Sequence, residues 1–346
     1  MATKKMKKPT PEMEALLARS GSNDFQVASA SSRELAKALT LPLRQGVLKG
    51  DIKANIFQSI KFAPGTSVEF PLDFLAPGTE KDYVAYTIPN AGRIPDRHVE
   101  GDYVMVPTYD VGNSIDWNLK YATDARWDIV GRGMQVLEAG FVRKDNNDAF
   151  HTLLAAGVGR NIMAYDDAAT AGLFTKRLVA LMKTLMRRNA GGNSTSINQG
   201  KLTDLYLSPE ALEDIRSWDL SQIDEFTRRE IFLAGGTGPD GEAALQSIFG
   251  VILHDIDEFG VSQEYQNYYL NTLGGTLPTP SGGSIKLEMV MGLDLVNTDS
   301  FVHPVRSEVE VFEDMTMHRS RRQGWYGWKN SGWASLDSRR ILLGAL

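Results

Sequence analysis

The clearest pattern along the chain is a helical stripe. From Asp124 onward, Trp127, Val130, Met134, Leu137 and Phe141 recur at spacings of three and four, which places them on one face of a helix. Thr123 or Asp124 can cap its start and Gly157 and Gly159 can stop it, so the spacing predicts a helix from Asp124 to about Ala156, roughly 50 Å long at 1.5 Å per residue. Gly131, Gly133 and Gly140 each cost about 1 kcal/mol relative to alanine in a helix. The stripe therefore needs tertiary packing or a bend, and the polar run Asp145-Asn146-Asn147-Asp148 is the expected break.

Other stretches follow a period of two. The runs Ser67 to Phe74 and Asp82 to Ile88 alternate around the turn Ala76-Pro77-Gly78-Thr79-Glu80-Lys81, a β-hairpin signature. A two-stranded ribbon is marginal in water, so the apolar face Val68, Phe70, Leu72, Phe74 needs a cover. Extended stretches follow at Tyr103 to Tyr109 and Ser114 to Tyr121. Residues 1 to 58 are polar and weakly patterned and read as an extended arm, with one short helix from Ser31 or Ser32 to Thr40.

Beyond the stripe, a second helix is predicted over Ala168 to Asn189. Its apolar face is Leu173, Leu178, Leu181, Leu185, and its basic face, Lys176, Arg177, Lys183, Arg187 and Arg188, is read as solvated or paired with acidic neighbours. Leu205 to Leu207 reads as a strand, Ser208-Pro209 as a helix cap with proline in the first turn, and Glu210 to Trp218 as the helix they open. Another helix, Gln222 to Leu233, leads to the glycine turn 235–241. Strands are expected at Gly250 to His254, Lys286 to Leu293, Ser307 to Phe312, Gly324 to Trp328 and Arg340 to Leu343. Alternation sets Trp325 and Gly327 on one face and Tyr326 and Trp328 on the other.

Composition then removes much chemistry. With 346 residues the chain is long enough for two domains, and its 42% hydrophobic and 23% charged content is that of a globular protein. Zero cysteines exclude thiol nucleophiles, disulfides and cysteine-based metal sites. The 37 Lys and Arg against 43 Asp and Glu give a net charge of -6, so any nucleic-acid contact must be local. The basic start, Lys4, Lys5, Lys7 and Lys8, supplies one such candidate, for DNA or a scaffold. No apolar run is long enough to span a bilayer.

Reactive centres are hard to find. Gly200-Lys201 precedes Leu202 and lacks the spacing and hydroxyl of a phosphate loop. His254, Asp255, Asp257 and Glu258 have metal-ligand types, but successive strand residues point to opposite faces, so they read as the solvated end of a strand. No serine-nucleophile elbow occurs. An arm, a projecting hairpin and a long helix beside β-segments favour self-assembly over catalysis.

The stretch Ala125 to Val130 through Asn147 to Phe150 resembles the spine helix of tailed-bacteriophage major capsid proteins with the Hong Kong 97-type fold. Leu202 to Ile215 resembles the strand and helix that open that family's axial domain, and the order of elements agrees over nearly the whole chain. The resemblance implies an α+β fold with an N-terminal arm (1–58), an extended β-hairpin loop (59–98), a peripheral domain holding the long spine helix (99–160 and 300–333) and an axial domain (161–299 and 334–346). It implies a non-enzymatic protein without cofactors or metals, building hexamers and pentamers of an icosahedral shell around double-stranded DNA. The loop tip, Pro77, Gly78, Thr79, Glu80 and Lys81, would lie on a neighbouring subunit.

Its expected partners are itself, a separate scaffolding protein, a portal protein, a decoration protein as a further candidate, and the genome through weak non-specific contact, with no membrane. Its expected location is the virion capsid, assembled in the host bacterial cytoplasm. Some relatives join a loop lysine to a neighbour's asparagine; Lys81 and Asn330 have the residue types, and no such link is expected here. An encapsulin-like shell around cargo enzymes is the alternative within the same fold. A soluble metal-dependent enzyme using the His254 to Glu258 group is the alternative from another class.

Overall fold

In the last third of the chain, the alternating positions become the centre of a mixed sheet. The computed structural model describes residues 11–22, 24–49, 55–71, 103–124, 127–189, 200–218, 246–280, 284–296 and 298–346. In chain order the elements are helices α1 (Pro11–Ser20) and α2 (Phe25–Lys49), strands β1 (Gln58–Lys61), β2 (Glu69–Pro71), β3 (Tyr103–Met105) and β4 (Tyr109–Asn118), and helices α3 (Leu119–Thr123) and α4 (Trp127–Gly159). Then come β5 (Met163–Tyr165), α5 (Lys176–Asn189), β6 (Asp204–Leu207), α6 (Pro209–Ser217), β7 (Gln246–Ile248), β8 (Val251–Asp255) and α7 (Glu264–Asn267). Last are β9 (Met289–Leu293), β10 (Phe301–Glu313), β11 (Arg322–Ser331), β12 (Ala334–Ser335) and β13 (Ile341–Ala345). Two units interleave these: the first draws on residues up to 69, 105–149 and 302–334, the second on 70–104, 150–301 and 335–346.

The first unit is built on the strand order β1-β10-β11-β4, with β1 parallel to β10 and the other pairs antiparallel. One face of this sheet presents Trp117, Val309, Val311 and Trp325 to Leu17, Leu35 and Leu39 from α1 and α2, and to Leu137 and Phe141 from α4. Trp117 and Trp325 meet edge to face at 4.6 Å. Fully burying a side chain such as Leu137 or Phe141 contributes about 1.5–3 kcal/mol, which outweighs the helix propensity lost at the nearby glycines. Gly140 has a further reason: a Cβ there would lie 2.3 Å from Asn113 Nδ2, the amide that donates to Leu137 O at 3.3 Å.

In the second unit the order is β5-β13-β9-β6-β8-β7. Strands β5, β13, β6 and β8 share one direction, and β9 and β7 oppose them. On β6, Leu205 and Leu207 join the layer formed by Leu178, Met182 and Met186 of α5 and Ile215 of α6. Tyr206, between them, meets Phe150 at 5.8 Å, and Phe150 also stacks on Tyr265 at 5.1 Å. Ser208 caps α6, its Oγ accepting from Ala211 N at 3.1 Å, with Pro209 opening the helix as its sequence predicts.

Four sequence expectations are corrected. The extended arm is largely helical: α1 and α2 bury Leu17, Ala28, Leu35, Leu39 and Leu43, a sparse strip that a polar composition hides, and α2 continues through Pro42. The long helix does not break at Asp145-Asp148, because partners on β4 and β11 satisfy those carboxylates. The second helix starts at Lys176 rather than Ala168; Asp166 takes Ala168 N at 3.1 Å and Thr175 Oγ1 at 3.1 Å, and the Thr175 hydroxyl accepts from Leu178 N at 3.3 Å, which holds 166–175 as a turn and cap. The stretch Ser114 to Tyr121 is strand only to Asn118, where α3 takes over with Asn118 Oδ1 accepting from Lys120 N at 3.0 Å. The second hairpin run, the helix at 222–233 and the glycine turn at 235–241 lie outside the described residues.

Candidate assembly surfaces

The reverse face of the first unit's sheet is apolar as well. Phe312 on β10 and Tyr326 and Trp328 on β11 are 37%, 40% and 51% exposed, whereas Trp325, next to Tyr326 and on the other face, is fully buried. The three rings touch one another: Phe312 stacks on Tyr326 at 5.6 Å and meets Trp328 edge-on at 6.2 Å. Beside them is an open cleft of about 500 Å³ lined by Arg33, Lys37, Phe312, Glu313, Asp314 and Tyr326. Contiguous exposed aromatics rimmed by charge are a feature of protein interaction sites.

The opposite, buried face of the sheet is fastened to α4 by charge. Lys329 on β11 forms an ion pair with Asp145, and both side chains are buried. One turn further along, Asp148 accepts from Tyr109 Oη and Lys144 Nζ, each at 2.7 Å. Burial, and then the carboxylate of Asp148, push the Tyr109 phenol well above its ordinary range, so it remains a donor at neutral pH.

In the second unit the candidate metal group is dispersed. His254 Nε2 lies 2.8 Å from Asp204 Oδ1 and its ring stacks on Tyr206 at 4.5 Å, while Asp255 and Asp257 are exposed on either side of buried Ile256. Among the described residues no three His, Asp or Glu side chains come together to hold a metal. Burial also raises the Tyr206 hydroxyl, with Asp204 adding to it.

Glu288 is a buried carboxylate with one strong partner, accepting from Ser208 Oγ at 2.6 Å. Burial raises its pKa, the Ser208 hydrogen bond opposes that, and the charges of Glu210 and Asp214 add to the rise. A carboxyl whose folded value is raised supports folding below the unfolded carboxylate range and loses that contribution as pH rises through the folded value. Glu288→Gln is therefore expected to melt above the wild type at pH 7 and level with it at pH 4, as read by thermal unfolding at both pH values. A variant that melts lower at pH 7 would overturn this account.

Comparison with solved structures finds the same arrangement elsewhere. A chain from Microbacterium phage Oxtober96 superposes with TM-score 0.56 at 10% identity, covering 86% of this chain and 90% of that one. A chain of the cyanophage Pam1 capsid asymmetric unit gives 0.56 at 13% identity over 84% and 88%. A chain of the capsid of an empty GTA particle gives 0.51 at 11% identity over 86% and 90%. This chain has the Hong Kong 97-type capsid fold. Neither a protein-family model nor a curated protein matches the sequence.

Within the Hong Kong 97-type fold, the predicted site residues stand as follows. Lys4, Lys5, Lys7 and Lys8 and the loop tip Pro77, Gly78, Thr79, Glu80 and Lys81 lie outside the described residues. Asn330, on β11, uses its side-chain nitrogen to donate to Asp110 Oδ1 at 2.6 Å. No helix among the described residues is long and apolar enough to cross a membrane. The alternation of β11 already places Tyr326 and Trp328 opposite Trp325 in the sequence, as core and interface packing requires, whereas nothing in the sequence singles out Phe312 as their neighbour.

Proposed function

We propose that this protein is a major capsid protein that self-assembles into the hexamers and pentamers of an icosahedral shell enclosing the double-stranded DNA genome of a tailed phage. The observation that carries this reading is length-wide agreement of fold: the superposition spans 84–86% of this chain and 88–90% of chains found in a cyanophage capsid and an empty GTA particle. A structural, non-enzymatic role follows from the same reading, and no catalytic or cofactor-binding residue is assigned. In it, 99–160 and 300–333 form the peripheral domain, 161–299 and 334–346 the axial domain, 1–58 the arm and 59–98 the extended loop. Partners in this reading are further copies of the chain, a separate scaffolding protein, a portal protein, a decoration protein and the packaged DNA, held weakly through the Lys4 to Lys8 segment. The virion shell, assembled in the host cytoplasm, is where it would act.

A mildly acidic subunit suits that task, because a container must hold DNA without gripping it. Closed symmetry multiplies modest contacts into a stable shell. Expression of the chain with its neighbouring genes, followed by sedimentation and electron microscopy, is expected to yield shells with five-fold and six-fold clusters. Monomers or small closed oligomers under all conditions would overturn the reading. Shells filled with protein cargo rather than DNA would favour the encapsulin-like alternative. Deleting Ala76 to Lys81 is expected to reduce shell yield while leaving the folded subunit intact, and an unchanged yield would refute the role given to that loop.

A further inference from the structure

The two ends of the second unit's sheet differ in charge, and each carries exposed apolar side chains. Because β5, β13, β6 and β8 run the same way, their C-terminal ends lie together and their N-terminal ends lie together. At the C-terminal end, Asp255 closes β8 and Asp257 follows it, both exposed, Glu258 is half-buried beside them, and Glu210 and Glu213 are exposed on α6, outnumbering Lys176 and Arg177 at the start of α5. From Gln246 to Ile285 there is no lysine or arginine.

The segment leading into β9 at this same end is inverted. Ile285 and Leu287 are 59% and 48% exposed, while Lys286 and Glu288 between and after them are 1% and 7% exposed. The inversion is held in place: Lys286 Nζ donates to Ala169 O at 2.9 Å, and Leu287 N donates to Leu346 O at 2.8 Å. Leu173, 44% exposed, follows Gly172, whose position faces Leu287. Turning leucine and isoleucine outward while burying lysine disfavours an isolated subunit, and it becomes favourable when an apolar partner covers the outer side.

The other end receives the cationic second half of α5. Helix α5 holds Lys176, Arg177, Lys183, Arg187 and Arg188 and no acid. It starts at the C-terminal end of the sheet, where Arg177 lies 3.5 Å from Asp166 just past β5. It then runs to the N-terminal end, where Lys183 Nζ donates to Phe249 O at 2.7 Å in the turn before β8. Arg187 and Arg188 follow in its last turn and are exposed, and Phe249 and Val296 are exposed at the same end, 47% and 61%. Strand β8 separates the cationic and acidic ends by about 17 Å at roughly 3.3 Å per residue, too far for direct ion pairs within one copy.

We propose that the cationic end of one copy, centred on Arg187, Arg188 and Phe249, docks on the acidic apolar end of the next, centred on Asp257, Glu258 and Leu287. This rests on the shell reading and names two of the faces through which copies meet. The contact is heterologous, each copy using one end as donor and the other as acceptor, so it propagates head to tail and closes into a ring when the rotation permits. Packaged DNA would also attract the arginines, but phosphates offer nothing to Ile285 and Leu287, whereas Phe249 and Val296 of a second copy do.

The test is a charge swap on the full chain, read by sedimentation and electron microscopy, with circular dichroism as the folding check. Arg187→Glu with Arg188→Glu, or Asp257→Lys with Glu258→Lys, is expected to cut the assembled fraction about tenfold while the subunit stays folded. Combining both pairs is expected to restore assembly. Wild-type yield in each separate swap, with wild-type shells forming normally, overturns the contact and leaves the shell reading standing. Loss of DNA retention without loss of assembly assigns the arginines to nucleic acid and likewise overturns it. A wild-type chain that never leaves the monomer overturns the shell reading and the contact with it.

Discussion

Lys329→Met is expected to destabilise the first unit by about 3–5 kcal/mol, because it removes the cation of a buried ion pair from buried Asp145. The methionine keeps most of the side-chain volume, so a cavity contributes little and the loss reports the charge. Asp145 lies mid-way along α4 and Lys329 on β11, so the same change loosens the helix from the sheet. The companion variant Lys329→Met with Asp145→Leu removes both charges and is expected to recover most of the loss, since apolar replacement of a whole buried pair is often neutral or better. Urea unfolding of the three proteins checks both statements. A single variant as stable as the wild type would show that the pair contributes nothing, and a double variant no better than the single would show that packing was at stake.

The same pair marks a limit of reading the sequence. The helical stripe from Met134 to Phe141 was legible because burial of one face imposes a period near 3.6, and α4 follows it. The expected break at Asp145-Asp148 failed because what neutralises Asp145 is 184 residues away along the chain. The helices of the arm were hidden for another reason. Their buried strip consists of few and partly small residues, such as Ala28 and Ala36, which a polar average conceals. Where structure was decided by neighbours, as at Ser208 and Pro209, the residues alone sufficed. At Ile285 to Glu288 the alternation was visible but its sense was not: pattern alone would turn Ile285 and Leu287 inward, and the fold turns them out.

Trp328→Ser combined with Phe312→Ser is expected to leave the subunit folded and to raise the concentration needed for assembly by about tenfold or more, as each removed aromatic anchor at an interface is worth about 2 kcal/mol. Both side chains lie on the outer face of the sheet, so the core formed by Trp117, Trp325, Leu137 and Phe141 is untouched. Exposed positions of this kind change stability by about 0.5 kcal/mol or less, which separates the expected assembly defect from misfolding. Trp325→Ser is the contrasting variant, since it empties a fully buried site and is expected to unfold the subunit outright. Light scattering against protein concentration, with thermal melts alongside, distinguishes the two. If the double surface variant assembles at the wild-type concentration, the exposed rings of β10 and β11 are not a contact between copies, and the surface awaits a different partner. If it fails to assemble while melting like the wild type, then one alternating strand serves two purposes: its inner residues hold the subunit together and its outer residues hold subunits to each other.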